Sequence, residues 1–127
     1  METILAQRSA VFEQLLQAWN GGDPELVHEL ITVDYRGHML HLTQGDRSAS
    51  DYADWIRTYR LANPGGRFGV VDQSSSGDKL WTRLRARLPN GQVAHGFNIS
   101  RFEGERIAEE WALWSPWLSH APSASSS

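Results

Sequence analysis

Apolar residues in the first part of the chain recur at helical spacing. Ile4, Leu5, Val11, Phe12, Leu15, Leu16 and Trp19 fall three, four and seven positions apart, which predicts one amphipathic helix over residues 2–19. Asn20-Gly21-Gly22 stops it. Asp23-Pro24-Glu25 then restarts a helix, with Asp as N-cap, Pro at the first helical position and an acid in the first turn. Its buried face would be Leu26, Val27, Leu30 and Ile31. The pattern breaks at residues 32–35, and the stretch to residue 47, with Gly37 and Gly45, reads as a short strand followed by a loop. Ser48 or Ser50 would cap a third helix over residues 50–62, which ends at Asn63-Pro64-Gly65-Gly66.

From residue 67 the period changes from 3.6 to 2. Extended runs at 67–75, 79–88, 92–102 and 106–117 are joined by Ser76-Gly77-Asp78, Pro89-Asn90-Gly91 and Glu103-Gly104-Glu105. Short glycine-bearing turns between alternating runs predict successive antiparallel hairpins. Helices followed by a meander give an α+β fold. The expected architecture is three N-terminal helices packed on a strongly curved, mostly antiparallel sheet that forms a conical pocket. One domain would span residues 1–117, and the low-complexity residues 118–127 would form a disordered tail.

Alternation assigns the faces of the strands. Leu80, Thr82, Leu84, Ala86 and Leu88 would look toward the helices, with Ala94, Gly96, Asn98 and Ser100 beside them and Ala108, Glu110, Ala112 and Trp114 beyond. The small residues leave space over the middle of the sheet, an apolar cup with a few polar groups. The convex face would carry Trp81, Arg83, Arg85, Arg87, Phe97, Ile99 and Trp111, with Trp117 on the same side. Aromatic and Arg residues in one exposed patch predict a homodimer contact through Trp81, Arg83, Arg85, Phe97 and Trp111.

Composition narrows the function. Of 127 residues, 40% are hydrophobic and 21% charged, the balance of a globular domain. Twelve basic residues against fifteen acidic ones leave a net charge of −3, a poor footprint for nucleic acid. There is no cysteine, hence no disulfide, thiol nucleophile or Cys-bound zinc. No secretory signal and no apolar run of membrane-spanning length is visible, which fits a cytoplasmic protein with no membrane partner. Six tryptophans offer flat walls for an apolar small molecule.

The opening ending in Asn20-Gly21-Gly22-Asp23, the stretch Asp34-Tyr35-Arg36-Gly37-His38 and, above all, Gly96-Phe97-Asn98-Ile99-Ser100-Arg101-Phe102-Glu103-Gly104-Glu105-Arg106-Ile107-Ala108-Glu109-Glu110-Trp111 resemble the SnoaL-like polyketide cyclase branch of the nuclear transport factor 2-like superfamily. The resemblance runs over residues 5–117. It implies the cone fold but spans cyclases, isomerases, dehydratases, epoxide hydrolases and non-catalytic modules. The chain departs from three of those mechanisms. No Asp follows Trp111, as the cyclase pattern wants. Leu15 or Leu16 and His38-Met39 stand where ketosteroid isomerases place Tyr and Asp. Leu84-x-Ala86 and Glu110-x-Ala112 replace the Arg-x-Asp and Trp-x-Asp of limonene epoxide hydrolase.

The resulting expectation is a cofactor-independent enzyme of secondary metabolism. It would cyclise, isomerise or dehydrate a polyketide-like or polycyclic carbonyl compound. The resemblance puts His38 at the pocket's entrance or wall as catalytic base. Asp34 or Asp72 could orient it, though nothing in the sequence places either close to it. Glu110, if inward among apolar side chains, suits acid–base work, and Asn98 would donate to a developing enolate. Tyr35, Trp19, Trp55, Tyr59, Thr82 and Trp114 would contact substrate. His38 and His41 form a weak H-x-x-H metal signal. His95 and His28 are expected to face solvent. The alternatives are a non-catalytic small-molecule-binding or assembly module of the same fold, and an epoxide hydrolase or cyclase.

Overall fold

A computed structural model describes residues 3–42 and 45–119. Helix α1 (Ile4–Trp19) leads into a 3₁₀ helix (Pro24–Glu29), strand β1 (Ile31–Met39), the two-residue strand β2 (Arg47–Ser48) and helix α2 (Tyr52–Ala62). Strands β3 (Arg67–Ser76), β4 (Lys79–Arg87), β5 (Val93–Glu103) and β6 (Arg106–Trp114) follow. The six strands form one mixed sheet in the order β2-β1-β6-β5-β4-β3. Every neighbouring pair is antiparallel except β1 and β6, which run parallel.

The helices form where the spacing predicts. Thr3 caps α1 by accepting from the Ala6 amide at 3.0 Å. Phe12, Leu15 and Leu16 are buried, but Ile4 and Leu5, in its first turn, are 56% and 39% exposed. Asp23 caps the second segment, taking the Glu25 amide at 3.0 Å, and Pro24 sits in its first turn. That segment is a single short 3₁₀ run rather than an α-helix; Leu26 points outward, and Ile31 already belongs to β1. Asp51, not Ser48 or Ser50, precedes α2, and its carboxylate takes the Ser48 amide instead.

The meander has the expected boundaries to within a few residues. Gly77, Gly91 and Gly104 have φ values of 59°, 92° and 63°, the left-handed region that glycine enters without strain. β6 ends at Trp114. Leu118, expected in the tail, forms a two-way backbone bridge with Val93 at 3.1 and 2.7 Å. The expected disorder of residues 120–127 lies outside the described residues.

Cross-strand rows explain where the core stops and the cavity begins. One row is Leu80, Ser100, Glu110 and Gly37; the next is Thr82, Asn98, Ala112 and Met39; a third is Leu84, Gly96 and Trp114; a fourth is Ala86 and Ala94. At one end Leu80, Phe102 and Ile107 pack against Phe12, Leu15 and Leu16 and fill the space under the helices. Toward the other end the inward residues shrink to Ala86, Ala94, Gly96 and Ala112. Asn20, at the end of α1, ties that helix to β3. Its side chain pairs with the backbone of Phe68 as a strand would, donating at 2.9 Å and accepting at 2.7 Å.

Candidate active site

The hollow left by those small residues is a cavity of about 240 Å³. Trp19, Tyr52, Trp55, Tyr59, Phe68 and Trp114 wall it. Their rings meet mostly edge to face, Trp19 with Tyr52, Tyr59 and Phe68 at 5.5–6.0 Å, and Phe68 with Trp114 at 5.3 Å. Gly96 decides one wall. A Cβ there would lie 2.4 Å from the Trp114 ring, so only glycine lets the indole lie flat across β5. Trp117 also lines the cavity rather than extending the convex patch.

Glu110 stands in this cavity, 2% exposed. Its Oε1 accepts from the Tyr35 hydroxyl at 2.7 Å, and its Oε2 accepts from Asn98 Nδ2 at 2.7 Å and Ser100 Oγ at 2.9 Å. Burial and the neighbouring Glu110 charge hold the Tyr35 phenol well above the usual phenol range, so it stays a neutral donor. Tyr52 is pushed up by burial as well, and Tyr59, also by burial, to about 12. The Tyr59 hydroxyl is buried and has no partner among the described residues.

Arg47 completes the group. It is 4% exposed and lies over the Tyr52 ring at 4.2 Å, between Trp19 and Trp55. Its Nη2 donates to the Tyr35 oxygen at 3.3 Å, so Tyr35 links the buried cation to the buried anion. Gly37 makes the arrangement possible, since a Cβ there would lie 2.6 Å from the Tyr35 hydroxyl and 3.1 Å from Arg47 Nε.

Trp19, Trp55, Tyr59, Trp114, Asn98 and Glu110 all line the cavity, as expected from the sequence. Three expected positions change. Tyr35 lies behind Glu110, not on the cavity wall. Thr82 faces the helices but is covered, and its hydroxyl accepts from Gln73 at 3.1 Å. His38 lies on the opposite face of the sheet. In a strand, residues three apart point to opposite sides, so with Tyr35 inward His38 is outward. There its ring stacks on Trp111 at 5.6 Å, with Nε2 2.7 Å from Glu109 and Nδ1 3.1 Å from Asp46. Chiefly the Glu109 hydrogen bond, opposed by burial and helped by Asp46, raises its pKa. An imidazole on the convex face, engaged by two carboxylates, is not a base for a ligand inside the cavity. Asp34 and Asp72 are engaged elsewhere, with Thr32 and Arg83. Asn98 is also redirected, because its amide already serves Ser100 and Glu110.

The two residues of the H-x-x-H pair separate. His41 sits in the cavity lining, and its Nδ1 accepts the Trp114 amide at 3.3 Å. Among the described residues no group of three or more His, Cys, Asp or Glu could hold a metal ion. His95 is exposed, and His28 pairs with Glu25 at the surface. Arg47 escaped the sequence reading because it is one of eleven arginines, in a segment that reads as loop.

A family model for the SnoaL-like domain matches residues 12–110, well over half of the chain. The chain belongs to the SnoaL-like family. Solved structures share this SnoaL-like architecture. IdmH, a proposed polyketide cyclase from Streptomyces antibioticus, is 23% identical, with a TM-score of 0.77 over 86% of this chain and 92% of that one. A proposed isomerase of the SnoaL-like family from Agrobacterium tumefaciens is 23% identical, with a TM-score of 0.74 over 87% and 99%. A proposed polyketide cyclase from Acidithiobacillus ferrooxidans is 16% identical, with a TM-score of 0.74 over 90% and 92%. At these identities the likeness is one of fold. No curated protein matches the sequence. Among the described residues no helix is long and apolar enough to cross a membrane.

Proposed function

We propose that this SnoaL-like domain is a cofactor-independent enzyme that moves a proton on a compact, ring-bearing carbonyl compound of polyketide or polycyclic type. Cyclisation, isomerisation or dehydration would follow, and Glu110 would carry the proton. The observation that supports this most is a buried carboxylate in an aromatic-walled cavity. Tyr35, Asn98 and Ser100 hold it in place with three hydrogen bonds. Oε1 receives a bond from Tyr35 and keeps acceptor capacity for a substrate proton. The aromatic rings exclude water and orient a flat substrate.

The test is hydrogen exchange. Cyclic and polycyclic ketones are incubated with the protein in deuterated water, and deuterium gain next to the carbonyl is read by mass spectrometry. Glu110→Gln should slow exchange by roughly 10²–10⁴-fold, the usual contribution of a general base. Equal exchange by the variant and the wild type would remove the assignment.

The three donors on Glu110 also suit a second reading, a non-catalytic binding module in which the carboxylate is structural. A co-purifying ligand with no exchange on any ketone would favour that reading. Incorporation of solvent oxygen into an epoxide would favour a third, hydrolysis. The convex face, with Trp81 46% and Phe97 60% exposed, is the proposed homodimer contact. Sedimentation of the wild type as a monomer at micromolar concentration would overturn that contact.

A further inference from the structure

Arg47 has donors that nothing in the described structure uses. A guanidinium offers five N–H groups in a planar fork. Among the described residues this one makes a single hydrogen bond, the 3.3 Å contact from Nη2 to Tyr35, and its buried Nε has no partner. No carboxylate lies within ion-pairing distance of it among the described residues. Glu110 is reached only through the Tyr35 hydroxyl. Trp19, Tyr52 and Trp55 satisfy the face of the cation at 5.6, 4.2 and 5.7 Å. Its in-plane edge is left over, and the residue lines the cavity. A buried cation with unused donors is costly unless an acceptor arrives. The acceptor that fits a planar fork best is an anionic oxygen.

We infer that the cavity takes a compact ring-bearing molecule carrying an anionic oxygen, a carboxylate or an acidic enol, and that the guanidinium of Arg47 grips that oxygen. This deepens the proposed reaction by naming its substrate class, and its substrate-orienting part rests on that reading. In the reaction the gripped oxygen is the ketone's own, which becomes anionic as the enolate forms. Arg47 and Glu110 both line the cavity and share the Tyr35 hydroxyl, so the carbon next to that carbonyl would come within reach of Glu110. The C–H bond then breaks, its proton goes to Glu110 Oε1, and its electron pair forms the C=C bond. The carbonyl π pair moves onto the oxygen held by Arg47, as an enolate. Arg47 thus takes the role that the sequence suggested for Asn98.

The experiment measures binding, independently of turnover. Calorimetry compares 2-naphthoate with its neutral isostere 2-naphthamide, on the wild type, Arg47→Gln and Glu110→Gln. The wild type should bind naphthoate at least about tenfold more tightly, as a charge-assisted hydrogen bond implies. Arg47→Gln should erase the preference. Glu110→Gln removes a repelling charge and should tighten naphthoate. Should Arg47→Gln fail to fold, judged by circular dichroism, Arg47→Lys keeps the charge without the fork. It should weaken naphthoate several-fold and retain some preference. Equal binding of the two probes by the wild type, binding of neither, a preference that survives in Arg47→Gln, or naphthoate affinity untouched by Glu110→Gln would each overturn the inference. Naphthoate preference without deuterium exchange would sink the proposed reaction and leave the anion site standing. Exchange without preference would do the reverse.

Discussion

Glu109 and Glu110 are neighbours on β6, yet they occupy different chemical worlds. On the concave face Glu110 is buried and held by neutral donors, with its nearest cation one hydroxyl away. On the convex face Glu109 joins an open chain of charges, bonded to His38 at 2.7 Å and Arg101 at 3.2 Å, with Glu103 and Asp46 at its ends. One sheet therefore supports two kinds of polar structure. Exposed ion pairs are cheap to make and cheap to lose, whereas a buried network must be complete to be tolerable. Site chemistry belongs to the face where an incomplete partner costs most.

The sharpest break of this comparison is one substitution made twice. Glu110→Leu strips the acceptor from Tyr35, Asn98 and Ser100 and leaves Arg47 without its linked anion. It should cost about 3–5 kcal/mol in urea denaturation. Glu109→Leu should cost no more than about 1 kcal/mol. Similar losses at the two positions would mean that the faces do not differ as described. The next effect is steric. Gly96→Ala drives a methyl group into the Trp114 ring and should cost about 1–3 kcal/mol. Gly69→Ala, on the outer strand β3, meets nothing within 4 Å and should be neutral or slightly stabilising. Thermal denaturation of the two variants checks both.

The smallest effect is in the pH dependence of the convex face. His38 has its pKa raised above 6.5, mainly by the Glu109 hydrogen bond, so it binds a proton more tightly folded than unfolded. Its contribution is full below about pH 6.5 and is lost as pH rises through the folded value. Glu109 is lowered, mainly by the His38 hydrogen bond and then by Arg101, so its contribution is present above pH 4.5 and fades as pH falls through its folded value. Asp46 and Arg101 are the other charged groups bonded to this pair. The pair should stabilise most in mildly acid solution. Melting temperatures from pH 5 to 9 should therefore fall more steeply for the wild type than for His38→Gln. Parallel curves would show that His38 contributes nothing through its charge.

Much of the concave face was legible because β4 and β5 alternate cleanly, and β6 does so from Ala108 on, past an irregularity that buries Ile107 and Ala108 together. Asn98, Glu110 and Trp114 could be placed together from spacing alone. β1 was harder. Its register against β6 shifts between Ile31 and Arg36, and it joins the sheet in parallel, so no hairpin turn announces its pairing. Tyr35 and His38 both read as cavity residues in the sequence, although residues three apart along a strand face opposite sides. Arg47 was invisible for a different reason. β2 is two residues long and has no period to read, and burial of a cation depends on rings contributed by α1 and α2.

The parallel pairing of β1 with β6 also sets the order of assembly. Tyr35 and Glu110 are 75 residues apart in sequence, so their contact waits on the slowest kind of loop closure the chain must make. The hairpins from β3 to β6 can zip locally and early. During synthesis the partner of Tyr35 emerges among the last strands made. A nascent chain that has not yet made residues 106–114 therefore lacks both the strand that pairs with β1 and the carboxylate that Tyr35 meets.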